Sequence, residues 1–307
     1  MKGLEAARRL YAEKGAAIIH EHFPEYEGRI AVGLAGSGSQ CLGFDDEISR
    51  DHDFEPGFCL WLTDADDARI GIELSRKMRD LFGSRVSQAS ALGTPGVGVM
   101  RISDFYRRFT GLPGAPETWQ DWLYLPSYAL SQAVSGEVFR DDLGEFSRIR
   151  QSFLDMPQDV RLKKLAGHLI MAAQAGQYNF KRCISHGETG GAQLAMIEFA
   201  DHAMSAVFLL NRKYRPFYKW AFRAMRELEK LSELADTFEF LISSDNEPVT
   251  ASAKADIVED IASMIITELQ NQGLTDAICG DLEKHAYSVN DRISSTQLRT
   301  MHIMAGV

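Results

Sequence analysis

Asp51 and Asp53 flank a single histidine, His52, and lead into an apolar run from Phe58 to Leu62. Residues two apart on an extended strand share a face. The spacing therefore aims both carboxylates one way and turns His52 to the opposite, packed face. Two hard oxygen ligands side by side suit Mg²⁺. Upstream, Gly36-Ser37-Gly38-Ser39 follows a second apolar run, Ile30 to Leu34, which reads as a buried strand. A small-residue turn of this kind can present backbone N–H groups to an anion such as a polyphosphate. Either feature alone is ordinary, since an acid-x-acid pair is commonly a solvated turn and a Gly/Ser run a flexible loop. Their order and their place between two strands argue for a joint site. His52 is expected to be structural, and Asp45, Asp46 and Glu47 a solvated loop or a helix cap.

The pattern Gly38-Ser39, then Gly43, then Asp51-His52-Asp53 resembles the DNA polymerase β-like nucleotidyltransferase superfamily, to which antibiotic nucleotidyltransferases of the kanamycin and lincosamide type belong. The longer string GFDDEISRDHDF, residues 43–54, is similar to a bacterial family known only as nucleotidyltransferase-like. The segments GQYN at 176–179 and FLLNRKYRPFYKW at 208–220 carry the same likeness into the second half. The resemblance implies a Mg²⁺-dependent transfer of a nucleoside monophosphate from an NTP, with ATP the expected nucleotide, to an acceptor hydroxyl. It implies that Gly36, Ser37, Gly38 and Ser39 hold the phosphates. It makes Asp51 and Asp53 the catalytic metal ligands.

The superfamily's third strand normally carries a third carboxylate. The matching stretch here, Gly96-Val97-Gly98-Val99-Met100-Arg101, has no acid. Asp104 is the nearest and is carried as a catalytic candidate, although its position also suits the first turn of a helix, where the dipole favours an acid. This departure opens an alternative: a catalytically weak or inactive nucleotide-binding or regulatory protein on the same scaffold.

The surrounding elements are legible from periodicity. Leu4, Ala7, Leu10, Tyr11 and Ile18 predict an amphipathic helix over residues 2–21. Strands are expected at 29–35, from Asp51 to Leu62, and at 96–102, with helices at 39–42, 65–82 and 104–109. Pro113 and Pro116 mark a connection. Gly136-Glu137 reads as a turn between two helices. The chain after Tyr124 reads as almost wholly helical, with a helix at 191–210 burying Leu194, Ile197, Phe199, Met204 and Phe208. The fold class expected is α+β: an N-terminal nucleotidyltransferase-like mixed sheet with helices over residues 1–122, then an all-α domain over 123–307 that binds the acceptor.

Arg212, Lys213, Arg215, Lys219 and Arg223 form a local basic patch beside Tyr214, Phe217, Tyr218 and Trp220. Arg212 and Lys219 are expected to meet phosphate or an acidic substrate; otherwise the aromatics pack as core and the cations are solvated. The formal net charge of −10 disfavours broad binding to nucleic acid or to an acidic membrane. No apolar run is expected to span a membrane, and the charged N-terminus does not read as a secretory signal. Cys41, Cys59, Cys183 and Cys279 lack metal-site spacing and read as reduced, mostly buried thiols of a cytoplasmic protein. The expected partners are the small-molecule nucleotide and an unidentified acceptor, with the oligomeric state left open.

Overall fold

The structure, a computed structural model, describes residues 2–47, 57–82 and 97–307. The chain divides into two compact units. One comprises Met1–Glu117 with Tyr128–Asp155, the other Thr118–Ser127 with Met156–Val307. An N-terminal mixed α/β region is thus followed by a long all-α region, as the patterning predicts.

In the first unit, α1 (Gly3–Leu10) passes through a π-helical turn into α2 (Ala16–His22), which realises the amphipathic helix. β1 (Ala31–Ala35) follows, then α3 (Ser39–Leu42) and β2 (Cys59–Leu62). A short α4 (Asp64–Asp66) runs through another π-helical turn into α5 (Ile72–Phe82). β3 (Gly98–Arg101) leads directly into α6 (Ile102–Thr110). Beyond α7 (Trp119–Tyr124) and α8 (Ser127–Val134), the chain forms β4 (Gly136–Arg140) and α9 (Glu145–Leu154).

Among the described residues the sheet order is β3-β2-β1-β4. β1 is antiparallel to both neighbours, and β2 is parallel to β3. β1 and β2 are apolar throughout because both faces of the sheet are covered. Val32, Leu60 and Leu62 pack with Tyr11, Ile19, Leu74 and Met78 on one side. On the other, Trp61 stacks on Phe146 at 4.0 Å and meets Phe105 edge-on at 5.5 Å.

β4 corrects the turn expected at Gly136-Glu137. Its pairing with β1 depends on two glycines. A Cβ on Gly33 would lie 2.3 Å from the Glu137 carbonyl oxygen, and one on Gly136 would lie 2.1 Å from that of Leu34. Backbones that close cannot be read from a period of two, and the register also shifts between Val32 and Gly33.

The second unit is built on α10 (Gln158–Ala172), which continues through a π-helical stretch, Ala173–Phe180, into α11 (Lys181–Ser185). The remaining helices are α12 (Thr189–Leu210), α13 (Tyr218–Met225), α14 (Leu234–Ser243), α15 (Pro248–Asn271), α16 (Leu282–Asp291) and α17 (Thr296–Thr300). α10 buries cations as well as apolar groups. Lys163 Nζ donates to Asn290 Oδ1 at 2.9 Å and to the Met301 carbonyl at 2.8 Å. Lys164 Nζ donates to the carbonyls of Leu125 and Gly306 at 3.1 and 3.0 Å.

α12 buries Met196, Phe199, Ala203, Met204 and Phe208, but Leu194 and Ile197 are 69% and 45% exposed, contrary to expectation. The core stripe passes through Ala192, Met196, Phe199, Ala200 and Ala203, and its small residues hid it from a reading that weighted large side chains. By length and composition α12 is also apolar enough to cross a membrane, which the sequence reading did not expect; 67% of its apolar window is buried inside the protein, as in a core helix.

Candidate functional site

The turn after β1 is built from residues that only its sequence supplies. Gly36 has φ +112° and Gly38 φ +107°, in the region where an L side chain is strained. A Cβ on Gly36 would also lie 2.9 Å from the Phe109 ring, whereas one on Gly38 would meet open space. Ser135 Oγ donates to the Gly36 carbonyl and holds the turn from behind. Among the described residues, the N–H groups of Ser37, Gly38 and Ser39 donate to no backbone carbonyl.

The far end of the turn is tied to the N-terminal helix. Gly43, at φ +73°, ends α3, and its carbonyl accepts from Lys2 Nζ at 2.9 Å. Asp45 is buried and its Oδ2 accepts from the Gly3 N–H at 2.8 Å. It therefore caps α1, a helix that begins 42 residues earlier in the chain. The sequence suggested a cap there without identifying which helix it serves.

Asp51, His52 and Asp53 lie outside the described residues. β3 carries no acid, and Asp104 sits in the first turn of α6. Its two oxygens accept from Arg101 Nε at 2.7 Å and Arg107 Nη1 at 2.9 Å. Asp104 is thus neutralised by two guanidiniums. The hydrogen bond and the charge of Asp104 in turn push Arg101 up from its ordinary value. Among the described residues no group of three His, Cys, Asp or Glu side chains is placed to hold a metal ion. The two acids expected from the sequence to bind Mg²⁺, Asp51 and Asp53, are not among these described residues.

Arg212 and Lys219 belong to the helical unit and the glycine turn to the other. Arg212 and Lys219 are exposed. Arg212 adopts φ +52°, and its N–H closes the end of α12 on the Leu209 carbonyl at 3.1 Å. Lys219 Nζ lies 5.1 Å from the centre of the Trp220 ring. Arg215 differs from both: it donates to Ser205 Oγ and the Asp201 carbonyl and ion-pairs with the Asp201 carboxylate. Phe217 and Tyr218 are exposed, so this corner is not simply core.

A pair that sequence reasoning missed lies between α10 and α12. His168 Nδ1 and His202 Nδ1 are 2.9 Å apart, and Glu198 Oε1 stands 3.2 Å from His202 Nε2. Burial, then the neighbouring His202, Lys164 and Arg215, hold His168 well below the ordinary imidazole value. Burial also pushes Lys164 down to about 8. Only the four-residue spacing of Glu198 and His202 was visible in the sequence; nothing there joins His202 to His168.

Residues 122–221 match a family model described as a domain of unknown function (DUF4037). The matched stretch runs from within α7 into α13 and includes β4, the histidine pair and the basic corner except Arg223. No curated protein matches the chain.

Proposed function

We propose that the N-terminal unit binds the phosphates of a nucleoside triphosphate at Gly36-Ser37-Gly38-Ser39, and that the chain is a catalytically weak or inactive nucleotide-binding or regulatory protein on a nucleotidyltransferase-like scaffold. The observation that carries this reading is the turn itself. Two strained positions, Gly36 and Gly38, are occupied by glycine, the turn is anchored by Ser135, and three N–H groups are left without backbone partners among the described residues. Successive backbone N–H groups free of internal partners favour an anion. The weak or inactive character follows from β3, which ends in Arg101 rather than an acid, and from Asp104, whose oxygens are taken by two arginines. Asp51 and Asp53 would hold Mg²⁺, which when bound neutralises charge on the phosphates.

The second reading, transfer of a nucleoside monophosphate to an acceptor hydroxyl, is favoured by the order and spacing of Gly38-Ser39 and Asp51-His52-Asp53. Calorimetry with ATP and Mg²⁺ tests the binding. Asp51→Asn and Asp53→Asn are expected to abolish it with the fold intact, and wild-type affinity in either variant would refute the site. Pyrophosphate release in the presence of candidate hydroxyl acceptors separates the readings: sustained release supports transfer, and binding without release supports the regulatory role.

A further inference from the structure

α10 and α12 bring a carboxylate and two imidazoles into one hydrogen-bonded line. Glu198 accepts and cannot donate when ionised, so the proton of neutral His202 sits on Nε2, 3.2 Å from Glu198 Oε1. His202 Nδ1 is then a lone pair. Across the 2.9 Å to His168 Nδ1, His168 must be the donor. With its proton on Nδ1, neutral His168 presents a bare Nε2, and among the described residues no group hydrogen-bonds to that atom. His168 is half-buried, at the margin of the α10–α12 contact rather than at its centre.

The charges around it are of both signs. α12 supplies Glu198, engaged with His202, and Asp201, engaged with Arg215. α10 supplies Lys164, one helical turn before His168, and among the described residues its ammonium donates to the neutral carbonyls of Leu125 and Gly306 and to no carboxylate. The two carboxylates are thus already committed, while one cation is uncompensated. An oriented acceptor beside an uncompensated cation is a recognition unit for a group that is negatively charged and still carries a proton.

We propose that His168 Nε2 is the proton-accepting centre of a small-molecule site in the helical unit, taking a ligand of the hydrogen-phosphate or phosphate-monoester class. The P–OH group donates to Nε2 and Lys164 balances the negative oxygens. His202 and Glu198 are positioning residues that fix the imidazole tautomer. The site belongs to the helical unit, and its proposal does not depend on the glycine turn of the other unit.

Long-range ¹H–¹⁵N spectra of the full chain, with histidine ¹⁵N-labelled, test the proposal at pH 7. The expected result is a bare Nε2 on His168 and a protonated Nε2 on His202. Titration with inorganic phosphate, and separately with glycerol 3-phosphate, of which only roughly a tenth carries the required proton at this pH, is expected to shift the His168 Nε2 resonance saturably, the monoester at correspondingly higher total concentration. A response to both assigns the site to the shared phosphate group; a response to glycerol 3-phosphate alone assigns it to the monoester. Sulfate, which carries no proton at this pH, is expected to leave the resonance in place. Glu198→Ala, at an exposed helix position, is expected to populate His168 with Nε2 protonated and to weaken phosphate binding about fivefold. A protonated Nε2 on wild-type His168, no response to either phosphate, or an equal response to sulfate would overturn the proposal. Unchanged tautomers in Glu198→Ala would overturn the role given to Glu198.

Discussion

Gly136 stands so close to β1 that a Cβ added to it would be 2.1 Å from the carbonyl oxygen of Leu34 and 2.6 Å from the Ala35 Cα. Both obstacles are backbone, so they cannot swing aside. Gly136 also has φ +80°, which an alanine would adopt only under strain. Gly136→Ala is therefore expected to destabilise the N-terminal unit by about 3 kcal/mol, from strain and overpacking together. Thermal unfolding followed by calorimetry checks this: the transition of the sheet-containing unit should fall in temperature, and an unaltered profile would disprove the tight pairing of β1 and β4.

Gly38 offers the opposite test. Its φ of +107° demands glycine, yet a Cβ there meets open space. Gly38→Ala is expected to distort the turn at a local cost of about 1–3 kcal/mol without disturbing the core. ATP binding in calorimetry should weaken strongly while the melting temperature falls by only a few degrees, roughly 2–4 °C per kcal/mol. Retained affinity would mean that the turn's N–H groups do not hold the phosphates.

Asp66 has no exposed surface. Its carboxylate accepts from Arg29 Nη2 at 2.9 Å and Nε at 3.1 Å, and from Thr63 Oγ1 at 2.9 Å. Burial raises its carboxyl, but the bonds from Arg29 and Thr63 and the nearby positive charge outweigh that and leave it below the usual carboxylate value. The sign for stability follows. A depressed folded value contributes stability at pH above the unfolded value, about 4, and loses it as the pH falls through the folded one. Asp66→Asn is expected to cost about 2 kcal/mol at pH 7, a figure kept low because Arg29 is partly solvated. Urea titrations at several pH values should show a shallower loss of stability on acidification in the variant than in the parent.

Lys164 gives a pH dependence of the other sense. Burial lowers its folded value to about 8, below the ordinary lysine value of about 10.4. Between these values the unfolded chain binds more protons than the folded one, so stability rises with pH across that window. Below it, the folded protein carries a charged ammonium among backbone carbonyls at a cost on the order of 1–3 kcal/mol. Lys164→Met is expected to remove this rise from the urea-unfolding profile of the helical unit between pH 8 and pH 10. A slope that survives the substitution would assign the effect to another group.

The division into a sheet region and a helical region was readable because it rests on periodicity. β1 and β2 are short apolar runs, and the chain after α9 is a succession of helix-length apolar segments broken by turns. β4 was not readable, because Gly136 and Gly33 make it a strand through contact with residues about a hundred positions away, and no local pattern encodes that contact. The face of α12 was misjudged for a related reason: Ala192, Ala200 and Ala203 fill the interface, while the larger Leu194 and Ile197 remain outside. At the candidate site the glycines were legible by type, since strained backbone selects them. Asp104 was legible as a helix first-turn acid, but its pairing with Arg101 and Arg107 required the fold. The histidine pair joins residues 34 apart and had no local signature beyond Glu198.

The two units exchange stretches of chain: Thr118–Ser127 belongs with the later residues, and Tyr128–Asp155 with the earlier ones. During synthesis the sheet therefore waits for a strand that emerges only after the first piece of its neighbour. A gene cut at any single codon between the units would strand part of one of them on the wrong fragment. Recombination that shuffles such a protein must carry both halves as a single cassette.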